Sequence, residues 1–217
     1  TYMRYLKPLL STVGPGASLL EIGCGNGFLL TAVREEGGFS VAGVEPSRHA
    51  VDEADASIRG AIVTEVIRPG LFPSGSFDVI CLFQVLDHLP DPGAVLRECR
   101  TLLRPGGKLL CLNHDCGALS ARILGERSPI VDVEHTYLFD RRTIRRLLAS
   151  EGFDVLACGA VRDTHSLRHL VHLLPIPGRA KARIAALLRA TRLEDVSLTL
   201  RLGNLYVVGC RPSEESA

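Results

Sequence analysis

Leu19-Leu20-Glu21-Ile22-Gly23-Cys24-Gly25-Asn26-Gly27 is an apolar run that stops at three alternating glycines, and a helical pattern begins at Phe28. The stretch reads as a strand, a tight turn and a helix start. Glycine at alternate positions lets the backbone take positive φ and leaves no Cβ in the way, so a ligand can lie against the main chain. The helix that follows points free N–H groups at that ligand. In open α/β sheets ligands bind at the carboxyl ends of the strands, and this turn is such an end.

A second short apolar strand, Ser40-Val41-Ala42-Gly43-Val44, ends in the carboxylate of Glu45. It comes about twenty residues after the glycines, the place of an acidic residue that accepts ribose hydroxyls of a nucleoside. Dinucleotide sites prefer G-x-G-x-x-G, which would put the third glycine at position 28. Phe28 stands there, and Gly27 comes one residue early.

The run Glu21-Ile22-Gly23-Cys24-Gly25-Asn26-Gly27, followed by Val44-Glu45-Pro46-Ser47, resembles the class I S-adenosylmethionine-dependent methyltransferases. Gln84-Val85-Leu86-Asp87-His88-Leu89 and the later turn Leu103-Arg104-Pro105-Gly106-Gly107 extend the resemblance. It implies a three-layer, Rossmann-like α/β fold: a seven-stranded, mostly parallel sheet with an antiparallel last strand. The implied cofactor is S-adenosylmethionine, with S-adenosylhomocysteine as product. Its expected contacts are Glu21, Gly23, Cys24, Gly25, Asn26, Gly27, Glu45, Pro46, Ser47 and Gln84. The glycines would border the methionine part, Glu45 would hold the ribose, and Gln84 would line the cleft past the fourth strand. Family members often place an acidic residue for the adenine amino group after the third strand. Here the chain departs from the pattern, because Glu65 is the nearest carboxylate while Val66 or Ile67 stands closer to the expected spot.

Composition bounds the rest. A chain of 217 residues, 46% hydrophobic and 23% charged, is globular and of one-domain size. A formal net charge of +1 supplies no field for nucleic acid. No Asn/Asp-Pro-Pro-Tyr motif follows the fourth strand, and aromatics do not interleave with basic residues as single-strand binding favours. No window approaches eighteen uninterrupted apolar residues and no charged-then-apolar leader opens the chain. The expectation is a cytoplasmic protein without stable membrane insertion, although a start at Thr1 leaves the true N-terminus open. Seven cysteines form no C-x-x-C pair, which argues against a disulfide framework. Cys111, His114 and Cys116 lack a second ligand pair at finger-like spacing, so no metal site is expected.

Along the chain, residues 1–13 carry a helical apolar face that Gly14-Pro15-Gly16 ends, and the helix from Phe28 stops at Gly37-Gly38. Ser47 is an N-cap for a helix to about residue 57, and Ala61–Ile67 and Phe77–Leu82 are strands. Asp91 and Pro92 open a helix with Val95, Leu96, Cys99 and Leu102 inward. Arg104-Pro105-Gly106-Gly107 stops it before a strand at Lys108–Leu112. Asp140 caps a helix whose Ile144, Leu147 and Leu148 face inward and which ends at Gly152. Its Arg141, Arg142, Arg145 and Arg146 are either a solvated face or an anion site. Phe153–Val161 and Leu205–Cys210 are the last strands.

Between those strands, Arg162–Glu194 reads as two amphipathic helices joined at Pro175-Ile176-Pro177-Gly178. The expected organisation is a single domain over 1–217 with a helical cap inserted at about 162–195, over the substrate opening. Arg168, Arg179, Lys181, Arg183, Arg189 and Arg192 make it basic, which suits a phosphorylated acceptor, an anionic membrane surface or a solvated face. His165, His169 and His172 recur at helical spacing without a carboxylate to complete a metal site.

A sulfonium methyl group is already electrophilic, so transfer needs alignment and, where the acceptor holds a proton, its removal. Imidazole exchanges a proton near neutral pH. His88, just past the fourth strand, and His135, in Glu134-His135-Thr136-Tyr137, are the catalytic candidates. His135 resembles a histidine placed near the substrate in related small-molecule methyltransferases. Asn113 and His114 end the fifth strand and also line the expected cleft, while Asp115 is an N-cap candidate. The expected function is methyl transfer to a small molecule, oxygen favoured over nitrogen or carbon. The expected partner is that acceptor, anionic if the basic segment takes part, with no nucleic acid; a homodimer stays open. Two alternatives remain, a nicotinamide-dependent oxidoreductase and a non-catalytic module that keeps the cofactor pocket.

Overall fold

Strands that read as unbroken apolar runs are strands buried on both faces, the signature of a parallel sheet covered by helices. The chain shows this at Phe77–Phe83, where Val79, Ile80, Cys81 and Leu82 are fully buried. The computed structural model describes residues 2–118, 121–122, 125, 135–173, 177–191, 193–201 and 203–213. Their elements run α1 (Tyr2–Val13), β1 (Ser18–Ile22), α2 (Phe28–Glu35), β2 (Ser40–Val44), α3 (Arg48–Asp52), α4 (Ala56–Arg59), β3 (Ile62–Val63) and β4 (Phe77–Phe83). A 3-10 turn at Leu86–His88 follows, then α5 (Pro92–Leu102), β5 (Leu103–His114), α6 (Arg141–Ser150), β6 (Asp154–Ala160), β7 (Asp163–Ser166), α7 (Leu167–Leu173), α8 (Gly178–Ala190), β8 (Ser197–Leu200) and β9 (Asn204–Cys210).

Seven strands form one sheet in the order β3-β2-β1-β4-β5-β9-β6. It is parallel from β3 to β5, and β9 runs antiparallel to both β5 and β6. The expected Rossmann-like α/β fold with an antiparallel last strand is the one observed. Register matters for function: Ile22 is level with Val44 on one side and Leu82 on the other, and Phe83 is level with Leu112. Gly23, Glu45 and Gln84 therefore leave their strands side by side at the carboxyl edge, level with Asn113 of β5. Below that edge Leu20, Ile80, Leu82, Leu96, Leu109, Ile144 and Val207 share one buried cluster. The helices form for local reasons, as at α6, where Asp140 Oδ1 accepts from the Arg142 and Thr143 amides and Thr143 Oγ1 accepts from the Asp140 amide.

The chain contains two compact units, one of Tyr2–Ala160 with Gly203–Ala217, the other of Val161–Leu202. In the second, β7 pairs antiparallel with β8, and α7 packs against α8. The two expected helices are present, but a two-stranded ribbon that helical periodicity did not announce brackets them. Residues 174–176, including Pro175 and Ile176 of the expected joint, lie outside the described residues, as does Arg192.

Three boundaries differ from expectation. The strand expected over Ala61–Ile67 pairs only at Ile62–Val63. The helix expected from Ser47 to residue 57 is two: Asp52, Glu53 and Asp55 crowd the carboxylate-unfavourable helix end, and Asp55 accepts from the Ser57 amide to cap a new helix. Arg104-Pro105-Gly106-Gly107 is not a plain stop, since Phe77 pairs with Leu103 and Val79 with Lys108, so the four residues bulge within β5. Gly106 and Gly107 bond there to Arg211, through an amide and a carbonyl respectively, which keeps their polar groups satisfied.

Candidate active site

The glycine turn is built as its sequence implies. Gly23, Gly25 and Gly27 all have positive φ, at 72°, 55° and 70°. A Cβ on Gly23 would meet Val85 Cγ2 at 2.5 Å, whereas one on Gly25 would meet nothing within 4 Å. Gly23 is thus glycine for packing, and Gly25 presents bare backbone to open space, a cradle that a side chain would fill. No side chain caps the N-terminus of α2 behind it.

Two carboxylates flank the turn. Glu45 accepts from the Gly25 amide through Oε2 at 2.9 Å and from the Ser47 amide through Oε1 at 2.8 Å. A carboxylate has about four acceptor positions, so room remains for hydroxyl donors. Glu21 is 3% exposed, and its Oε2 is buried with no hydrogen-bond partner. Burial first, and the charge of Glu45 second, push its pKa up to about 8. An unpartnered buried oxygen beside a second carboxylate suits a cationic ligand bearing donor groups.

Of the remaining residues expected at the cofactor, Asn26, Pro46 and Ser47 are exposed at the turn. Cys24 belongs to the site only through its backbone. Its side chain lies inward under Gly43, whose Cβ would meet Cys24 Sγ at 2.6 Å, and burial with the Glu21 and Glu45 charges pushes the thiol up to about 12. Gln84 has φ 56°, the one positive φ of a non-glycine residue among the described residues. Such a conformation costs of order 1–3 kcal/mol and collects at functional sites. Its Nε2 donates to Asn204 Oδ1 at 3.4 Å, while Oε1 is buried without a partner. Glu65, considered for adenine, instead forms an exposed ion pair with Arg68 at 2.7 Å, and Val66 next to it is exposed.

Beyond Gln84 along the same edge lies a second cluster. Asp87, 1% exposed, sits on the 3-10 turn after β4. Asn113 Nδ2 donates to its Oδ1 at 3.1 Å, and His114 Nδ1 is 2.8 Å from its Oδ2. His88 Nε2 is 3.9 Å from Oδ1. Burial pushes the Asp87 carboxyl upward, but the bond and charge of His114 and the charge of His88 outweigh it and hold the pKa below the usual carboxylate range.

His135 closes the group, its ring centroid 4.7 Å from that of His88 and 4.7 Å from that of His114. Its Nδ1 is buried with no hydrogen-bond partner. The segment carrying it is tied down by the Tyr137 amide on the Asp87 carbonyl at 3.1 Å and by the Cys116 amide on the Phe139 carbonyl at 2.9 Å. The structure therefore brings both catalytic candidates, His88 and His135, to one buried carboxylate. It adds Asp87, whose place beside His88 at a strand's carboxyl end was the available signal, and it makes His114 a direct partner. Spacing pointed to no metal site, yet one ligand atom each of Asp87, His88 and His135 lie within 4.8 Å of one another. His169 lies in the Val161–Leu202 unit, and the side chains of His165 and His172 lie outside the described residues. Among the described residues no helix is long and apolar enough to cross a membrane.

A family model described as a methyltransferase domain matches residues 1–157. A ubiquinone biosynthesis O-methyltransferase of Caulobacter vibrioides is 35% identical over 121 residues, which cover 51% of this chain and 46% of that protein. One of the same name from Ralstonia nicotianae is 36% identical over 98 residues, 42% of this chain and 41% of that one. The chain thus spans less than half the length of these curated relatives. Among solved structures, a putative methyltransferase from Bacillus halodurans superposes with a TM-score of 0.65 at 16% identity, over 96% of this chain and 99% of that one. An S-adenosylmethionine-dependent methyltransferase from Archaeoglobus fulgidus gives 0.65 at 16% identity, over 96% and 91%. The chain belongs to the methyltransferase domain family, in its class I, S-adenosylmethionine-dependent form.

Proposed function

We propose that the chain transfers a methyl group from S-adenosylmethionine to an oxygen of a small-molecule acceptor. The observation that carries this is the group of His88, His114 and His135 around Asp87, on the same sheet edge as the glycine turn. The cofactor supplies an electrophilic methyl group. What the chain must add is a place where a hydroxyl loses its proton, and His88 and His135 are the catalytic residues for it. Asp87 orients His114, and Asn113 orients Asp87. Relatives named for O-methylation in ubiquinone biosynthesis support oxygen as the acceptor atom.

In the cofactor site, Glu45 takes the ribose hydroxyls, Gly25 leaves room for the methionine part in a turn that Gly23 and Gly27 shape, and Gln84 lines the cleft. The chain leaves the main sheet at Ala160 and re-enters it at Asn204, beside His114. The basic side chains of the inserted segment, Arg168, Arg179, Lys181 and Arg183, favour an anionic acceptor.

The test is incubation with methyl-labelled S-adenosylmethionine and a panel of phenols, sugars and amines, read by mass spectrometry. Label on oxygen is expected; label confined to nitrogen or carbon, or no transfer across the panel, would sink the reading.

Glu21 makes cofactor affinity depend on pH. Without ligand its carboxyl is protonated below about pH 8. A cation bound beside it favours the carboxylate, so binding releases a proton. Affinity therefore tightens as pH rises toward 8, by up to about tenfold per unit, and levels off above. The raised pKa also means that stability contributed by Glu21 is present at pH near 4 and lost as pH climbs through 8. Calorimetry from pH 6 to 9 on wild type and Glu21→Gln isolates the effect, because the difference removes the ligand's own titration; equal slopes would refute it.

A further inference from the structure

We infer that Asp87, His88 and His135 form a binding site for one divalent metal ion of borderline softness, of the zinc, cobalt or nickel type. The three residues each bring one ligand atom to within 4.8 Å of the others. Ligands at the 2.0–2.2 Å bond lengths typical of such ions stand about 3–4 Å apart, so side-chain adjustments of up to about 1–2 Å close the set. His88 Nε2 and Asp87 Oδ1 are already at 3.9 Å.

Two further observations point at a ligand in this place. His135 Nδ1 is buried and unpartnered, an arrangement that costs free energy unless something coordinates or bonds to it. Asp87 carries the outer shell that metal-binding carboxylates have. Asn113 donates to one of its oxygens and His114 lies against the other, which sets its orientation and leaves acceptor positions over. Two imidazoles and a carboxylate also make the donor set of sites that keep a coordination position open. Magnesium and calcium, which prefer all-oxygen shells, fit poorly.

His88 is exposed and His135 half-buried, so the group is within reach of solvent. An acceptor hydroxyl could fill the open position, and its proton would then leave to solvent more readily at neutral pH. This last step rests on the O-methylation reading above; the metal site does not. A bound ion would supply the Lewis acid for the hydroxyl in place of an imidazole nitrogen.

The experiment is zinc titration of the untagged, chelator-treated protein by calorimetry, with the double variant His88→Gln/His135→Gln beside it. One zinc per chain is expected, with affinity at least about a hundredfold weaker in the double variant and no displacement by millimolar magnesium. S-adenosylhomocysteine binding by the same variant reports its fold. Cobalt(II) added to wild type gives a check that needs no variant, a visible spectrum typical of a low-coordinate nitrogen and oxygen site. Zinc binding that survives in the double variant, displacement by magnesium, or a featureless cobalt spectrum would each overturn the site. If zinc fails to bind while labelled methyl still reaches oxygen, the O-methylation reading stands and the metal site falls. If zinc binds and no oxygen is methylated, the reverse holds.

Discussion

His135→Ala is expected to slow methyl transfer about 100- to 10,000-fold while S-adenosylhomocysteine affinity stays within about twofold of wild type. The expectation follows from where the ring lies. His135 stands between His88 and His114, with each centroid pair 4.7 Å apart, and its buried Nδ1 has no protein partner. Its ring neighbours are His88 and His114, whereas the glycine turn is held by Glu45, so loss of His135 should strike kcat rather than cofactor binding. His88→Ala acts on the same cluster, and the two losses should be far from additive. Stopped-assay turnover at saturating cofactor, paired with calorimetry, checks both halves. A rate within threefold of wild type would remove His135 from the catalytic group; a parallel loss of cofactor affinity would make it a structural residue instead.

The second large effect is on the cofactor. Glu45→Ala should weaken S-adenosylhomocysteine binding by roughly 1–3 kcal/mol, or about 5- to 150-fold. Glu45 accepts from the Gly25 and Ser47 amides, and in the proposed function its remaining acceptor positions serve the ribose. Alanine strips both, leaving two turn amides without their partner. Glu45→Gln keeps one oxygen acceptor and should fall between alanine and wild type. Unchanged calorimetric affinity in Glu45→Ala would end the assignment.

The glycine turn and the carboxylate proposed for the cofactor were legible in chain order because they are built within one β-α-β unit. Gly23, Gly25 and Gly27 are adjacent in sequence, and Glu45 ends the very next strand, so spacing alone carries their geometry. Even there, Cys24 shows the limit. Counting places it among the cofactor residues, but packing under Gly43 turns its side chain inward. The inserted segment shows another: its two helices have a readable period, whereas the ribbon of Asp163–Ser166 on Ser197–Leu200 depends on pairing between strands about thirty residues apart.

The sequence by itself determined the fold class, the glycine turn and the carboxylate that closes it, because hydrophobic period and turn chemistry act over a few residues at a time. It also singled out His88 and His135, each from its local motif. Only the tertiary structure decided that these two meet, and that they meet at Asp87 with His114. Asp87 and His88 follow β4 and His114 ends β5, and the pairing of Phe83 with Leu112 makes them neighbours. His135 arrives from another segment, tied to the first by Tyr137, whose amide donates to the Asp87 carbonyl and whose hydroxyl donates to the Pro90 carbonyl. Such contacts come from strand register and long-range closure, which spacing along the chain does not carry.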